Sequence, residues 1–146
     1  MYVIDVGPAY RGYFSDACRA YAVDRKPSDA QMQAWHAIVE ALRIVERTAR
    51  PGVRCRDIYA EVFDHLRGSS AVGNFPHHLG HGVGLQPHEY PHLNPKWDDV
   101  LMEDEIFTAE PGLYGPQLNG GIRLENIYRV TADGVENLID VPLELV

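Results

Sequence analysis

Residues 109–126 read AEPGLYGPQLNGGIRLEN, and the spacing within this stretch governs how the rest of the chain is read. Extended-favouring residues flank a centre of glycine, proline and asparagine, the composition of a turn between two strands. Centring the turn on Gln117-Leu118, inside Gly115 to Gly121, sets Glu110 opposite Glu125. Directly opposed like charges destabilise an antiparallel pair. A cation held between them is the natural reason to place them so.

The same pattern recurs upstream. Residues 4–16 read IDVGPAYRGYFSD, and a turn centred on Tyr10-Arg11 sets Asp5 opposite Asp16. Between the pairs lies a histidine- and glycine-rich stretch, residues 74–92, NFPHHLGHGVGLQPHEYPH. His77 and His81 are four apart, a spacing that on a helix would suit a zinc-protease face. Pro76, Gly80, Gly82 and Gly84 oppose a helix here. On an extended segment the same spacing still puts both rings on one side. The glycines are read as letting backbone approach a ligand closely. His36, His65, His78 and His92 lack this setting and are read as structural.

Asp5, Asp16, Glu110, Glu125 and His81 make a hard, oxygen-dominated donor set. It suits a pair of divalent ions, Mn²⁺ first, with Co²⁺, Fe²⁺ or Zn²⁺ as alternatives. Ions about 3.5 Å apart can share a water and lower its pKa toward neutrality.

Composition sets the limits. The 146 residues suit one domain, and 45% apolar content is ordinary for a globular protein. A net charge of −8 argues against a nucleic-acid role, since phosphate binding needs a basic face. The only cysteines, Cys18 and Cys55, make no disulfide framework, so a reduced, cytoplasmic setting is expected. No stretch is long and apolar enough to span a bilayer, and none reads as a leader. Met1-Tyr2-Val3-Ile4 is already strand-like and Asp5 follows at once. Chain ends fray, so upstream sequence is expected to support that carboxylate.

Along the chain, Tyr2–Val6 reads as a buried strand and about Tyr13 to Val23 as a second. Ser28 with Gln31 is a capping-box signature. Met32, Trp35, Ile38, Val39, Leu42 and Val45 follow at helical spacing, ending before Pro51-Gly52. Ile58, Val62 and Leu66 mark a second helix, about Arg56 to Leu66. Asp98 to Glu105 reads as a solvated acidic loop. Strands follow at Ile106–Glu110, about Ile122 to Thr131, and Val135 to Ile139, the last two joined at Asp133-Gly134. Strands, then helices, then strands predict an α+β fold: a curved, antiparallel-rich sheet with helices on one side.

These motifs resemble those of the pita-bread metallopeptidases, aminopeptidase P and prolidase among them. Ile4-Asp5-Val6-Gly7 and Gly12-Tyr13-Phe14-Ser15-Asp16 resemble the family's two aspartate motifs. Gly80-His81-Gly82-Val83-Gly84-Leu85 with His88-Glu89 resembles its histidine motif. Ala109-Glu110-Pro111-Gly112-Leu113-Tyr114 and Gly121-Ile122-Arg123-Leu124-Glu125-Asn126 resemble its glutamate motifs.

The resemblance implies an incomplete pita-bread fold. Residues 1–146 would be the C-terminal portion of one catalytic domain, without the fold's first half or any N-terminal domain. It implies that Asp5 and Asp16 hold one metal, with Asp16 and Glu125 bridging to a second held by His81 and Glu110. His77 and His88 would line the substrate pocket and stabilise the tetrahedral intermediate. Arg123 would fix a ligand or a substrate carboxylate, and Glu110 would accept a proton from the bridging water. The implied substrate is a peptide with proline after its first residue, whose imide-like bond offers no N–H.

Two positions depart from the pattern: Cys18 stands where the family usually has Thr, and Asn126 where an acidic residue is common. A non-peptidase relative (lyase or small-amide hydrolase) and an inactive binding or scaffold relative are the alternatives. Nucleic-acid and membrane partners are not expected. A sheet edge left open by a missing half favours self-association, so a homo-oligomer is.

Overall fold

Ser28 and Gln31 form both halves of the capping box. The Gln31 backbone N–H donates to Ser28 Oγ at 3.2 Å, and the Ser28 N–H donates to Gln31 Oε1 at 2.8 Å. In the computed structural model, which describes residues 1–23 and 26–145, helix α1 (Asp29–Thr48) runs from this cap. Ile38, Leu42 and Val45 are buried on its inner face, while Met32, Trp35 and Val39 flank the core. Full burial of one such side chain stabilises by about 1.5–3 kcal/mol. Gln31 does a second job: its Nε2 donates to Leu118 O at 3.0 Å, fixing the helix start to a distant turn.

Helix α2 (Cys55–Gly68) packs against α1 through the expected face of Ile58, Val62 and Leu66. No helix of the described residues is long and apolar enough to cross a membrane.

Strands β1 (Tyr2–Val6), β2 (Ala9–Tyr10), β3 (Tyr13–Phe14) and β4 (Ala17–Tyr21) precede the helices. After them come β5 (Gly80–Gly82), β6 (Glu89–Leu93), β7 (Ile106–Ala109), β8 (Gly112–Gly115), β9 (Gly120–Arg123), β10 (Asn126–Val130) and β11 (Val135–Asn137). All ladders among the described residues are antiparallel. Five strands form one sheet in the order β11-β10-β7-β5-β6, and β1 with β4 and β8 with β9 form two-stranded ladders beside it. A Cys18–Glu125 bridge joins β4 to the segment between β9 and β10. The α+β organisation is as expected, with α1 covering β8 and β9 and α2 covering β6.

Five sequence readings need correction. First, Tyr2–Val6 is an exposed strand: Tyr2 is 58% and Val6 50% accessible, because β1 pairs with β4 along one edge alone. Second, Asp5 pairs with Cys18 instead of Asp16. The turn is centred on Arg11-Gly12, whose φ values of 53° and 89° are those of a two-residue turn with two left-handed positions. The register therefore slips by two residues, which keeps both aspartates on one face. Third, the strand expected over Tyr13–Val23 breaks at Ser15-Asp16, freeing Asp16 from the ladder. Fourth, the run from Ile122 to Thr131 breaks at Leu124-Glu125, between β9 and β10. The acidic loop is also not purely solvated, since Asp99 accepts from the His92 backbone N–H at 2.8 Å.

Candidate metal centre

The downstream hairpin keeps the register read from its spacing. Gly112 pairs with Arg123 in β8–β9 and Ala109 with Asn126 in β7–β10. Glu110 and Glu125 fall between these pairs on the same sum, so they face one another. The Glu125 backbone N–H donates to Cys18 O at 3.0 Å, which carries the aspartate-bearing hairpin to the glutamates.

His81 arrives from β5. Gly80 and Gly82 allow this, but for a reason other than approach to a ligand. A Cβ on Gly80 would sit 1.9 Å from Thr108 O, and one on Gly82 1.9 Å from Tyr90 O. The glycines thus let β5 press between its neighbours' backbones. The buried His81 ring then donates from Nδ1 to Gly82 O at 3.0 Å, which leaves Nε2 as the nitrogen turned toward the carboxylates. That nitrogen lies 3.4 Å from Glu110 Oε1 and 4.0 Å from Asp16 Oδ2.

A cavity of about 310 Å³ collects Asp5, Asp16, His81, Glu110 and Glu125. His77, His88 and Arg123 line it as well, so every candidate named from the sequence is brought to one place. Ligand atoms of Asp16, His81 and Glu125 lie within 4.8 Å of one another. Glu125 is 2% accessible, and among the described residues no side-chain donor reaches its carboxylate. Its oxygens open only onto the cavity and its other carboxylates, a charge placement that is costly unless a cation or proton meets it. The donor set fits divalent ions.

Protonation follows from this crowding. Burial, then the charges of Glu110, Asp16 and Asp5, push the Glu125 carboxyl up to about 9. Burial and Asp5 likewise raise Asp16 to about 6. Glu110 goes the other way: burial opposes its charge, but hydrogen bonds from His78 and His81 outweigh it and hold the carboxyl at about 2. Burial also opposes charge on His81, yet Glu110, the Gly82 carbonyl and Asp16 raise its pKa overall. His88 is lowered by burial and by His81 and His78.

Arg123 completes one wall. Its Nη2 bonds Asp5 Oδ2, and Nη1 donates to Tyr114 Oη at 3.0 Å. Tyr114 in turn donates to His77 Nε2 at 3.2 Å, since His77 Nδ1 is committed to His78 O at 2.7 Å. Arg123 Nε is buried, has no partner among the described residues, and lies 3.9 Å from Glu110 Oε2. Cys18 is buried with its thiol donating to Arg123 O at 3.4 Å, and burial pushes its pKa up to about 12.

Three participants escaped the sequence reading. His78, read as structural, lines the cavity and its Nε2 meets Glu110 Oε1 at 2.8 Å. Its position beside His77 carried no motif context of its own, and the chain is not a regular strand until Gly80, so both neighbouring rings reach the cavity. Tyr114 shares the face of Glu110, four residues earlier, and its ring lies over Gly121, where a Cβ would approach to 2.2 Å. Arg19, the residue after the cysteine, is buried and donates to Cys18 O, Glu125 O and Asn126 Oδ1. Tyr114 and Arg19 stand inside or beside the quoted motifs, and only the fold reveals their contacts.

The sequence model of metallopeptidase family M24 matches residues 1–132. A Xaa-Pro dipeptidase of Pyrococcus furiosus is 34% identical over 143 residues, 98% of this chain and 40% of that protein. The crystal structure of the prolidase from Pyrococcus horikoshii OT3 superposes with a TM-score of 0.90 at 34% identity, covering 99% of this chain and 41% of that one. An X-Pro aminopeptidase of Thermotoga maritima MSB8 gives a TM-score of 0.90 at 31% identity, covering 98% and 40%. The chain has the pita-bread architecture of these structures and spans about two fifths of the length of the relatives it matches.

Proposed function

The chain belongs to metallopeptidase family M24, and from that membership we propose that it supplies the metal-holding, C-terminal portion of a dinuclear peptidase acting on Xaa-Pro bonds. The carrying observation is the convergence of Asp5, Asp16, His81, Glu110 and Glu125 on one cavity, with the buried Glu125 carboxylate met by no donor among the described residues. Asp5 and Asp16 would hold one ion. Asp16 and Glu125 would bridge to a second, held also by His81 and Glu110. Mn²⁺ is the preferred ion for so oxygen-rich a set. When bound, the ions supply a Lewis acid for the scissile carbonyl and acidify a water at neutral pH.

The protein's own groups do the rest. Glu110, kept ionised by His78 and His81, is the proton acceptor. The exposed His88 faces the substrate and steadies the oxyanion, while His77, locked in one tautomer by His78 O and accepting from Tyr114, lines the pocket beside it. Arg123 orients Asp5 and, through Tyr114, His77. Proline is recognised by shape, since its imide nitrogen has nothing to donate. The two free, buried cysteines suit a cytoplasmic setting. Exposed Tyr2, Ile4 and Val6 on β1 suit association into a homo-oligomer.

Turnover of Xaa-Pro dipeptides and of longer Xaa-Pro peptides by the full-length, Mn²⁺-loaded protein tests the proposal. Cleavage of dipeptides alone marks a prolidase, and removal of one residue from longer peptides an aminopeptidase P. Absence of cleavage with two ions bound contradicts peptidase chemistry.

A further inference from the structure

His78, His81 and His88 stand together on the cavity rim, and one ring nitrogen from each lies within 4.8 Å of the others. The rings of His81 and His88 are stacked at 3.6 Å, and His78 meets them edge-on at 5.5 and 5.9 Å. His81 has a single nitrogen to offer, because Nδ1 is spent on Gly82 O. That same Nε2 serves the carboxylate site. Whichever ion takes it deprives the other.

We propose that His78, His81 and His88 form a second, imidazole-built site for one zinc-like ion, exclusive of the ion that the carboxylate site would hold through His81. That exclusion rests on the peptidase reading of His81 given above. Donor chemistry separates the two sites. Three imidazoles select Zn²⁺, Cu²⁺ or Ni²⁺, whereas the carboxylate set suits Mn²⁺. Glu110 Oε1, 2.8 Å from His78 Nε2 and 3.4 Å from His81 Nε2, is placed as a fourth donor, completing the three-nitrogen, one-oxygen shell zinc accepts. Parallel rings cannot both point lone pairs at one ion, so one must turn. His88 is exposed and makes no hydrogen bond among the described residues, and it is the ring that turns. The consequence is an upper limit on useful zinc: an ion on the imidazoles strips the carboxylate site of its nitrogen ligand.

Copper reads the geometry directly. Full-length protein freed of metal and given one equivalent of Cu²⁺ should show nitrogen hyperfine splitting from three imidazoles, falling to two in His78→Ala and in His88→Ala. A wild-type spectrum with one nitrogen, or no change in either variant, overturns the site. In a second measurement Zn²⁺ is titrated into the Mn²⁺-loaded protein, and the signal of released aqueous Mn²⁺ is followed. The zinc concentration for half-release should rise about tenfold in His88→Ala, the size of effect that loss of a metal-site partner produces. An unchanged midpoint overturns the competition. His88 is exposed, so its variant keeps the test open should His78→Ala fail to fold. Failure of the peptidase reading would show as absent Xaa-Pro turnover and leaves the copper result unaffected.

Discussion

Glu125 concentrates the chemistry of the molecule in one side chain. It is buried beside three other carboxylates, and its pKa is pushed up to about 9. The folded, metal-free protein therefore binds a proton there that the unfolded chain has released above about pH 4.3. Stability falls wherever the folded state holds the extra proton, at up to about 1.4 kcal/mol per pH unit. Asp16 and His81 are raised too and act in the same direction. Glu110 acts oppositely, adding stability above its unfolded pKa that is lost as pH falls toward 2. The melting temperature of the metal-free protein should thus decline between pH 6 and 9. Glu125→Gln should flatten the decline and stabilise the metal-free form at pH 8 by on the order of 2 kcal/mol, as read by denaturant unfolding. A steeper decline in that variant would contradict the protonation pattern. Gly82 is a second sensitive position: a methyl there would collide with Tyr90 O. Gly82→Ala should cost about 3 kcal/mol and displace His81, both visible as a lowered denaturation midpoint and weakened metal binding.

Among the elements, the two hairpins show what sequence could and could not disclose. The downstream register was legible because the β8–β9 turn sits symmetrically between its glycines, with Asn119 in a left-handed conformation at its end. The upstream register was not. Several residues between Gly7 and Gly12 could have formed the turn, and the choice fell on Arg11-Gly12 because glycine is easiest where φ is positive. Arg11 is a poor first residue for such a turn. Arg11→Asn should stabilise the protein by about 0.5–1 kcal/mol, measured by thermal or chemical unfolding; destabilisation would argue against the turn type. Both helices, the cap of α1 and the metal-bearing residues could be read, since periodicity and motif spacing are local. Arg19 could not, because its partners Cys18, Glu125, Asn126, Val141 and Pro142 are brought together only by tertiary structure. Arg19→Met strands those buried carbonyls and should cost about 3 kcal/mol, with a parallel loss of metal affinity as Glu125 shifts.

At the scale of the whole molecule, the β1–β4 segment carries the aspartates and the β5–β10 segment the histidine and glutamates; the Cys18–Glu125 bridge and the packing of β1 and β4 against β9 join the two, while α1 covers β8 and β9 and α2 covers β6. None of the cavity-lining side chains comes from α1 or α2. The helices supply burial, and the ligands come from two strands (Asp5, His81) and from the breaks between strands (Asp16, Glu110, Glu125). That division makes stability and metal binding mutually dependent. Divalent ions should raise the melting temperature and remove most of its decline with pH, because they take the place of the protons on Asp16 and Glu125. The most direct test is the anomalous scattering of crystals of the full-length protein loaded with Mn²⁺. The account predicts two peaks in the cavity, one contacted by Asp5 and Asp16, the other by His81 and Glu110, with Glu125 between them. A single peak elsewhere on the surface, or none beside Glu125, would contradict it.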